Sequence, residues 1–233
     1  MNTSNQVFSP ANTQPRKNIV SPKELTRRAG LSVILLTIFC LLFVPATAMS
    51  QTQLGSDIDG EAGWDHSGTS VSLSSHGDRL AVGAPRNSGN GSEAGHVRVF
   101  QWSGTSWMQM GDDIDGEAAY NLSGESVSLS ADGSRVAIGA QSNSGNGEYS
   151  GQVRVYQWSG SSWEQMGTDI YGKAANDHFG RSVSISADGN RVAGTSSEGG
   201  DAGDSFGYVS VFQWSGSDWV QLGTDIDGKA TYD

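Results

Sequence analysis

From residue 55 onward the chain repeats itself every 56 residues, and this period constrains the fold more than any other feature. Gly55-Ser56-Asp57-Ile58-Asp59-Gly60 returns as Gly111-Asp112-Asp113-Ile114-Asp115-Gly116. It returns again as Gly167-Thr168-Asp169-Ile170-Tyr171-Gly172 and as Gly223-Thr224-Asp225-Ile226-Asp227-Gly228. Three full units span 55–110, 111–166 and 167–222, and a partial unit occupies 223–233. A fixed period without insertions implies one supersecondary module per unit, which buries its apolar surface by stacking on copies of itself.

Within a unit the hydrophobic pattern has a period of two. Ser126 to Ser130 alternates small polar and apolar residues, and Asp132-Gly133 follows, a tight-hairpin signal because glycine accepts positive φ. Arg135 to Gly139, Gln152 to Trp158 and Trp163 to Met166 supply three further strand-like runs, separated by Gly/Asn/Ser and Ser-Gly-Ser-Ser turns. Val153 and Val155 point to one face of the third run, Tyr156 and Trp158 to the other. A sheet apolar on both faces has neighbours on both sides. The expected fold is therefore all-β: a β-propeller-like array of four-stranded antiparallel blades, with the Ser-rich first strand in the crowded position nearest the axis. A β-solenoid is the structural alternative, disfavoured by three hairpin turns per unit. Three units are fewer than the four to eight blades of ordinary propellers, so the expectation is a fragment of a longer array. Its unclosed blade edges are open to association.

Residues before the repeats are different in kind. Residues 1–30 form a basic, polar region expected to be disordered, with Arg16, Lys17, Lys23, Arg27 and Arg28 against one acid, Glu24. Residues 31–50 contain the apolar run Leu31 to Val44 and then Pro45-Ala46-Thr47-Ala48, an expected hydrophobic helix. A basic region, an apolar stretch and an A-x-A pattern describe a secretory signal peptide. The apolar stretch from Ala29 to Met49 is also just long enough to cross a bilayer as an uncleaved signal anchor. Either reading places residues 51–233 outside the cytoplasm, secreted or membrane-anchored, with membrane contact only through residues 31–49. The single cysteine, Cys40, lies in the apolar run, so the repeats contain no disulfide.

Residues 1–50 hold five of the 14 basic residues and one of the 25 acids, which leaves 9 basic and 24 acidic residues, a net of −15, on the rest. Such a surface repels nucleic acid and anionic lipid.

Two pieces of the unit resemble the FG-GAP repeat of integrin-α-type propellers. His178-Phe179-Gly180-Arg181-Ser182-Val183 is similar to its Phe-Gly-x-Ser-Val element. Val82-Gly83-Ala84-Pro85 and Gly95-His96-Val97-Arg98-Val99-Phe100 are similar to its Gly-Ala-Pro and Gly-x-Val-x-Val-Phe elements. The resemblance covers 55–222 and implies an extracellular or cell-surface recognition and adhesion module. It is divergent: Ser67-Gly68 and Ser123-Gly124 replace Phe-Gly, and Gly194-Thr195-Ser196 replaces Gly-Ala-Pro. The family's calcium loop is also missing, because the Ser130 to Ser134 hairpin is too short to wrap an ion needing 6–8 oxygens.

No nucleophile–base–acid set is visible, and no catalytic residue or required cofactor is assigned; the chain is read as a non-enzyme. Asp57, Asp59 and Glu61, with Asp113, Asp115 and Glu117, are calcium candidates, since alternate acids before a glycine can present oxygens on one side of a turn. The competing reading is that these aspartates shape turns, and Lys173 and Lys229 at the glutamate position favour it. His66, His76, His96 and His178 form no ligand spacing. The pairs Trp102/Trp107, Trp158/Trp163 and Trp214/Trp219 are expected to pack between strands, with stacking on sugars as the alternative. The loops 87–93, 143–149 and 196–205 vary between units, which makes Asn87, Asn90, Glu93, Asn143, Asn146, Tyr149, Glu198, Asp201 and Asp204 the expected contacts to an extracellular protein or glycan. Asn90 and Asn121 are glycosylation acceptors if the source is eukaryotic. Alternatives to recognition are a structural surface repeat or the non-catalytic part of a polysaccharide-acting propeller enzyme.

Overall fold

The computed structural model describes residues 52–196 and 207–229. The basic region, the apolar run 31–49, Glu198, Asp201, Asp204 and the last four residues lie outside them. Among the described residues no helix is long and apolar enough to cross a membrane.

In the unit formed by residues 53–233, the described residues are all-β. Its first sheet is built from β1 (Ser70–Leu73), β2 (Arg79–Ala84), β3 (His96–Trp102) and β4 (Trp107–Gln109), paired antiparallel in that order. The short strand β5 (Ile114–Asp115) also pairs with β3. The second sheet repeats this with β6 (Ser126–Leu129), β7 (Arg135–Ala140), β8 (Gln152–Trp158), β9 (Trp163–Gln165) and β10 (Ile170–Tyr171). The third uses β11 (Ser182–Ile185), β12 (Arg191–Ser196), β13 (Tyr208–Trp214), β14 (Trp219–Gln221) and β15 (Ile226–Asp227).

The four expected strands are therefore present, and a fifth is added. The opening Asp-x-Ile-Asp of each unit belongs to the preceding sheet. Ile114 pairs with Val97 and Asp115 with His96, while Trp107 to Gln109 covers the other end of β3. A blade is thus offset from the sequence period by a few residues. Residues 52–54 form no strand, but the Leu54 carbonyl accepts the Trp107 indole N–H at 3.1 Å, as Met110 and Met166 accept those of Trp163 and Trp219.

Successive sheets stack face to face through two apolar layers. Val97, Val99, Met110 and Ile114 of the first blade meet Val127, Leu129, Val136, Ile138 and Tyr156 of the second. Val153, Val155, Met166 and Ile170 on the second blade's other face meet Phe179, Ile185, Val192, Tyr208 and Trp219 of the third. The division of β8 is the one its alternation predicts. The closest approach is between the first strands β1, β6 and β11, from which the sheets fan outward. Serine makes that approach possible: Ser70 Oγ and Ser126 Oγ donate to the carbonyls of Gly124 and Gly180, each at 2.7 Å, and Ser72 Oγ accepts the Leu129 amide at 2.9 Å. Glycine does the same at Gly139, where a Cβ would collide with the Gly180 carbonyl of the next blade.

The Trp pairs pack as expected, with ring centroids 5.3–5.4 Å apart and tilted. Val71 on β1 is 62% exposed although its counterpart Val127 is 9% exposed. Ile226 is 66% exposed although Ile114 is 5% exposed. The outward faces of the first and third blades thus retain blade-to-blade chemistry.

Candidate functional site

The loops joining second and third strands were expected to offer free side chains, but two of the named asparagines are buried structural ties. Asn87 Nδ2 donates to Asp65 at 3.0 Å and its Oδ1 accepts the Gly89 amide at 2.8 Å. Asn143 Nδ2 donates to Gln152 Oε1 at 3.1 Å and its Oδ1 accepts the Gly145 amide at 2.7 Å. Each asparagine thus folds its own loop into an Asx turn. Asn90 and Asn146 are exposed but reach across to the Gly116 and Gly172 carbonyls, each at 2.8 Å. Of the two glycosylation acceptors, Asn121 is buried, out of reach of a glycosyl group on the folded chain.

The loops also clamp the next blade. The Ser92, Glu93 and Ala94 carbonyls accept the Tyr120, Leu122 and Ser123 amides at 2.7–3.2 Å. The Glu148, Tyr149 and Ser150 carbonyls treat Asn176, His178 and Phe179 in the same way. Glu93, Tyr120, Leu122, Tyr149, Asn176 and His178 all have positive φ, a conformation that bulky residues adopt only when the surroundings enforce it.

Beside the second blade lies an open cleft of ≈ 500 Å³. Tyr120, Tyr149 and Tyr171 line it together with the acids Glu117 and Glu148. Tyr149 stacks on His178 at 5.7 Å and remains half exposed, while Tyr120 is exposed. Burial and the Asp169 carboxylate, which accepts its hydroxyl at 2.8 Å, push the Tyr171 phenol up to about 12. Tyr171 therefore remains a neutral donor at physiological pH.

The acidic turns that carry the calcium candidates are engaged by protein partners. Asp57 accepts Gln53 Nε2 at 2.7 Å, and the Asp59 and Asp115 carbonyls accept Arg98 and Arg154 at 2.6 and 2.7 Å. Glu61 and Glu117 face those same arginines at 3.8 and 3.9 Å. Burial first, then the charge of Asp113, raises the Asp115 carboxyl above its usual range. One acid of each turn is instead gathered with a residue that sequence spacing dismissed. Glu61, Asp113 and His96 bring ligand atoms within 4.8 Å of one another. His96 is 1% exposed, and its Nδ1 lies 3.4 Å from Asp113 Oδ2 and 3.9 Å from Glu61 Oε2. The three residues come from two different repeat units, so no local motif signals them.

No family model and no curated protein sequence matches the chain. Among solved structures, it is similar to hydrazine synthase of Kuenenia stuttgartiensis (11% identity, TM-score 0.46, covering 78% of this chain and 41% of that one). It is also similar to the β-propeller domain of Cps50 (Swd1) from Myceliophteria thermophila (12%, 0.41, covering 67% and 38%). A third is the β-propeller domain of the trilobed protease from Pyrococcus furiosus (12%, 0.40, covering 69% and 42%). The chain thus spans about two fifths of the length of these structures.

Proposed function

We propose that the repeats form a non-catalytic recognition and adhesion module, displayed outside the cytoplasm by residues 31–50 and built of divergent FG-GAP-type blades. The observation that carries this reading is the cleft between the 142–149 loop and the 117–121 segment. Three tyrosines give it flat apolar faces and hydroxyls, and two acids give it negative potential. Tyrosine supplies large contact area at small conformational cost, and an acidic rim favours neutral or cationic ligands. An extracellular glycan or a basic protein segment fits that chemistry. The positions are fixed by the blade stack and the clamped loops, as a rigid scaffold presenting contact residues requires.

The test is a screen of the full chain against glycan and extracellular-protein arrays, followed by titration of any hit against Tyr120→Ala and Tyr149→Ala. Central tyrosines in such sites cost about 2 kcal/mol when truncated, roughly 30-fold in affinity. Each variant is expected to lose that much while its thermal midpoint stays unchanged. Binding that survives both substitutions would place the contact surface elsewhere.

A further inference from the structure

The Glu61–His96–Asp113 constellation sits at a position that recurs in all three blades, and the recurrence shows what the first copy lacks. Its counterparts are Glu117–Gln152–Asp169 and Lys173–Tyr208–Asp225. At the second copy, Gln152 Nε2 donates to Glu117 Oε2 at 2.9 Å, and the Tyr171 hydroxyl donates to Asp169. At the third copy, the Lys173 ammonium pairs with Asp225 beneath the Tyr208 ring, 4.9 Å from its centroid. Each later copy therefore fills its centre with a protein donor or cation. At the first copy, Arg98 donates to the Asp59 carbonyl and reaches only Glu61 of the two carboxylates, and among the described residues no Lys or Arg lies within ion-pair distance of Asp113. His96 Nδ1 is buried without a hydrogen-bond partner and aimed at both carboxylates. A buried nitrogen left in that state costs free energy.

We propose that Glu61, His96 Nδ1 and Asp113 bind a divalent transition-metal ion of the zinc class, which occupies the place that Lys173 fills in the third blade. Ligands about 2.0–2.2 Å from a tetrahedral zinc stand roughly 3.3–3.5 Å apart. The His96–Asp113 separation of 3.4 Å meets that; Glu61, 3.9 Å from His96 Nδ1 and within 4.8 Å of Asp113, would close in by movement of its half-exposed side chain. Imidazole with carboxylates suits zinc, whereas calcium asks for six or more oxygens. Gln109 Nε2 donates to the other Asp113 oxygen at 2.7 Å, the outer-shell bond that orients a ligating carboxylate. Three protein ligands leave the fourth position open toward solvent on the Glu61 side.

The experiment is titration of the EDTA-stripped full chain with Zn²⁺ by calorimetry and with Co²⁺ by visible absorption. One equivalent is expected to bind, with Co²⁺ giving the intense bands of a tetrahedral site. His96→Gln installs the residue that the second blade carries at this position, so the fold tolerates it. It is expected to weaken Zn²⁺ binding by more than about 100-fold, beyond the cost of losing an outer-shell partner. Asp113→Asn is expected to do the same, and Gln109→Ala to cost about 10-fold. Failure of the wild type to bind Zn²⁺ or Co²⁺ would overturn the proposal. So would binding unchanged in a folded His96→Gln protein, or binding of Ca²⁺ that is indifferent to His96.

Discussion

The two blade junctions use one backbone register and different side chains, and their differences are correlated. In the first junction the small Ser123 and the large Ile138 stand at the positions that Phe179 and Gly194 take in the second, where the glycine makes room for the phenyl ring. The acidic corner varies in the same coupled way. Glu61 and Glu117 face Arg98 and Arg154, whereas Lys173 appears where Ser210 has replaced the arginine, and its partner becomes Asp225. Each junction is thus tuned as a unit, in volume and in charge, while the strands repeat.

The comparison breaks most visibly in the core. Phe179→Ala is expected to cost about 3–5 kcal/mol of stability by denaturant unfolding, since nothing else fills the space over Gly194. The pair Phe179→Ser with Gly194→Ile, copied from the first junction, should recover most of it. A pair no better than the single variant would mean that the two positions are not coupled. Next, Gln152→His with Tyr171→Asp matches the second acidic corner to the first. Zinc stoichiometry should rise from one to two, a gain of more than about 100-fold in affinity at that corner. Gly139→Ala forces a methyl into the Gly180 carbonyl and should cost about 2 kcal/mol. The corresponding Thr195 carries a side chain where no further blade packs among the described residues; its hydroxyl bonds only the Ser182 backbone of its own blade, and Thr195→Ala should cost less than Gly139→Ala. Lys173→Met leaves Asp225 without its cation; with the ammonium half in water the cost is about 1 kcal/mol.

The smallest effect lies at a hairpin tip. Partial burial pushes the Asp132 carboxyl up, but hydrogen bonds from Ser130 and Ser134 outweigh that and hold it at about 2. A depressed carboxyl stabilises the fold above its unfolded value near 4, and that contribution disappears as pH falls toward 2. A plot of thermal midpoint against pH should fall less steeply between 4 and 2 in Asp132→Asn.

Much of this was legible in the sequence because the signals are local and repeated. The period, the Asp-Gly hairpins and the two-faced β8 follow from residues one to a few positions apart. The short strands β5, β10 and β15 were not legible: two residues of pairing leave no alternation to read, and they join the preceding blade. Asn87 and Asn143 read as variable surface because composition cannot distinguish an exposed loop amide from one buried to tie its own loop into an Asx turn. His96 was passed over because its partners lie in two units, brought together only when β5 pairs with β3. The cleft has the same origin, since Tyr120, Tyr149 and Tyr171 meet only through loop clamping.

The central claim is that the sheets stack face to face as blades, and amide hydrogen exchange at the hairpin tips tests it most directly. The Ser75 and Ala131 amides lie in turns yet donate to the Ala131 and Ala187 carbonyls of the following blade, at 2.8 and 2.9 Å. Both should exchange slowly, alongside the amides within the sheets, whereas the corresponding Ala187 amide should exchange fast. Free-peptide rates at Ser75 and Ala131, with the ladders of each sheet still protected, would show sheets that form without stacking and would contradict the account.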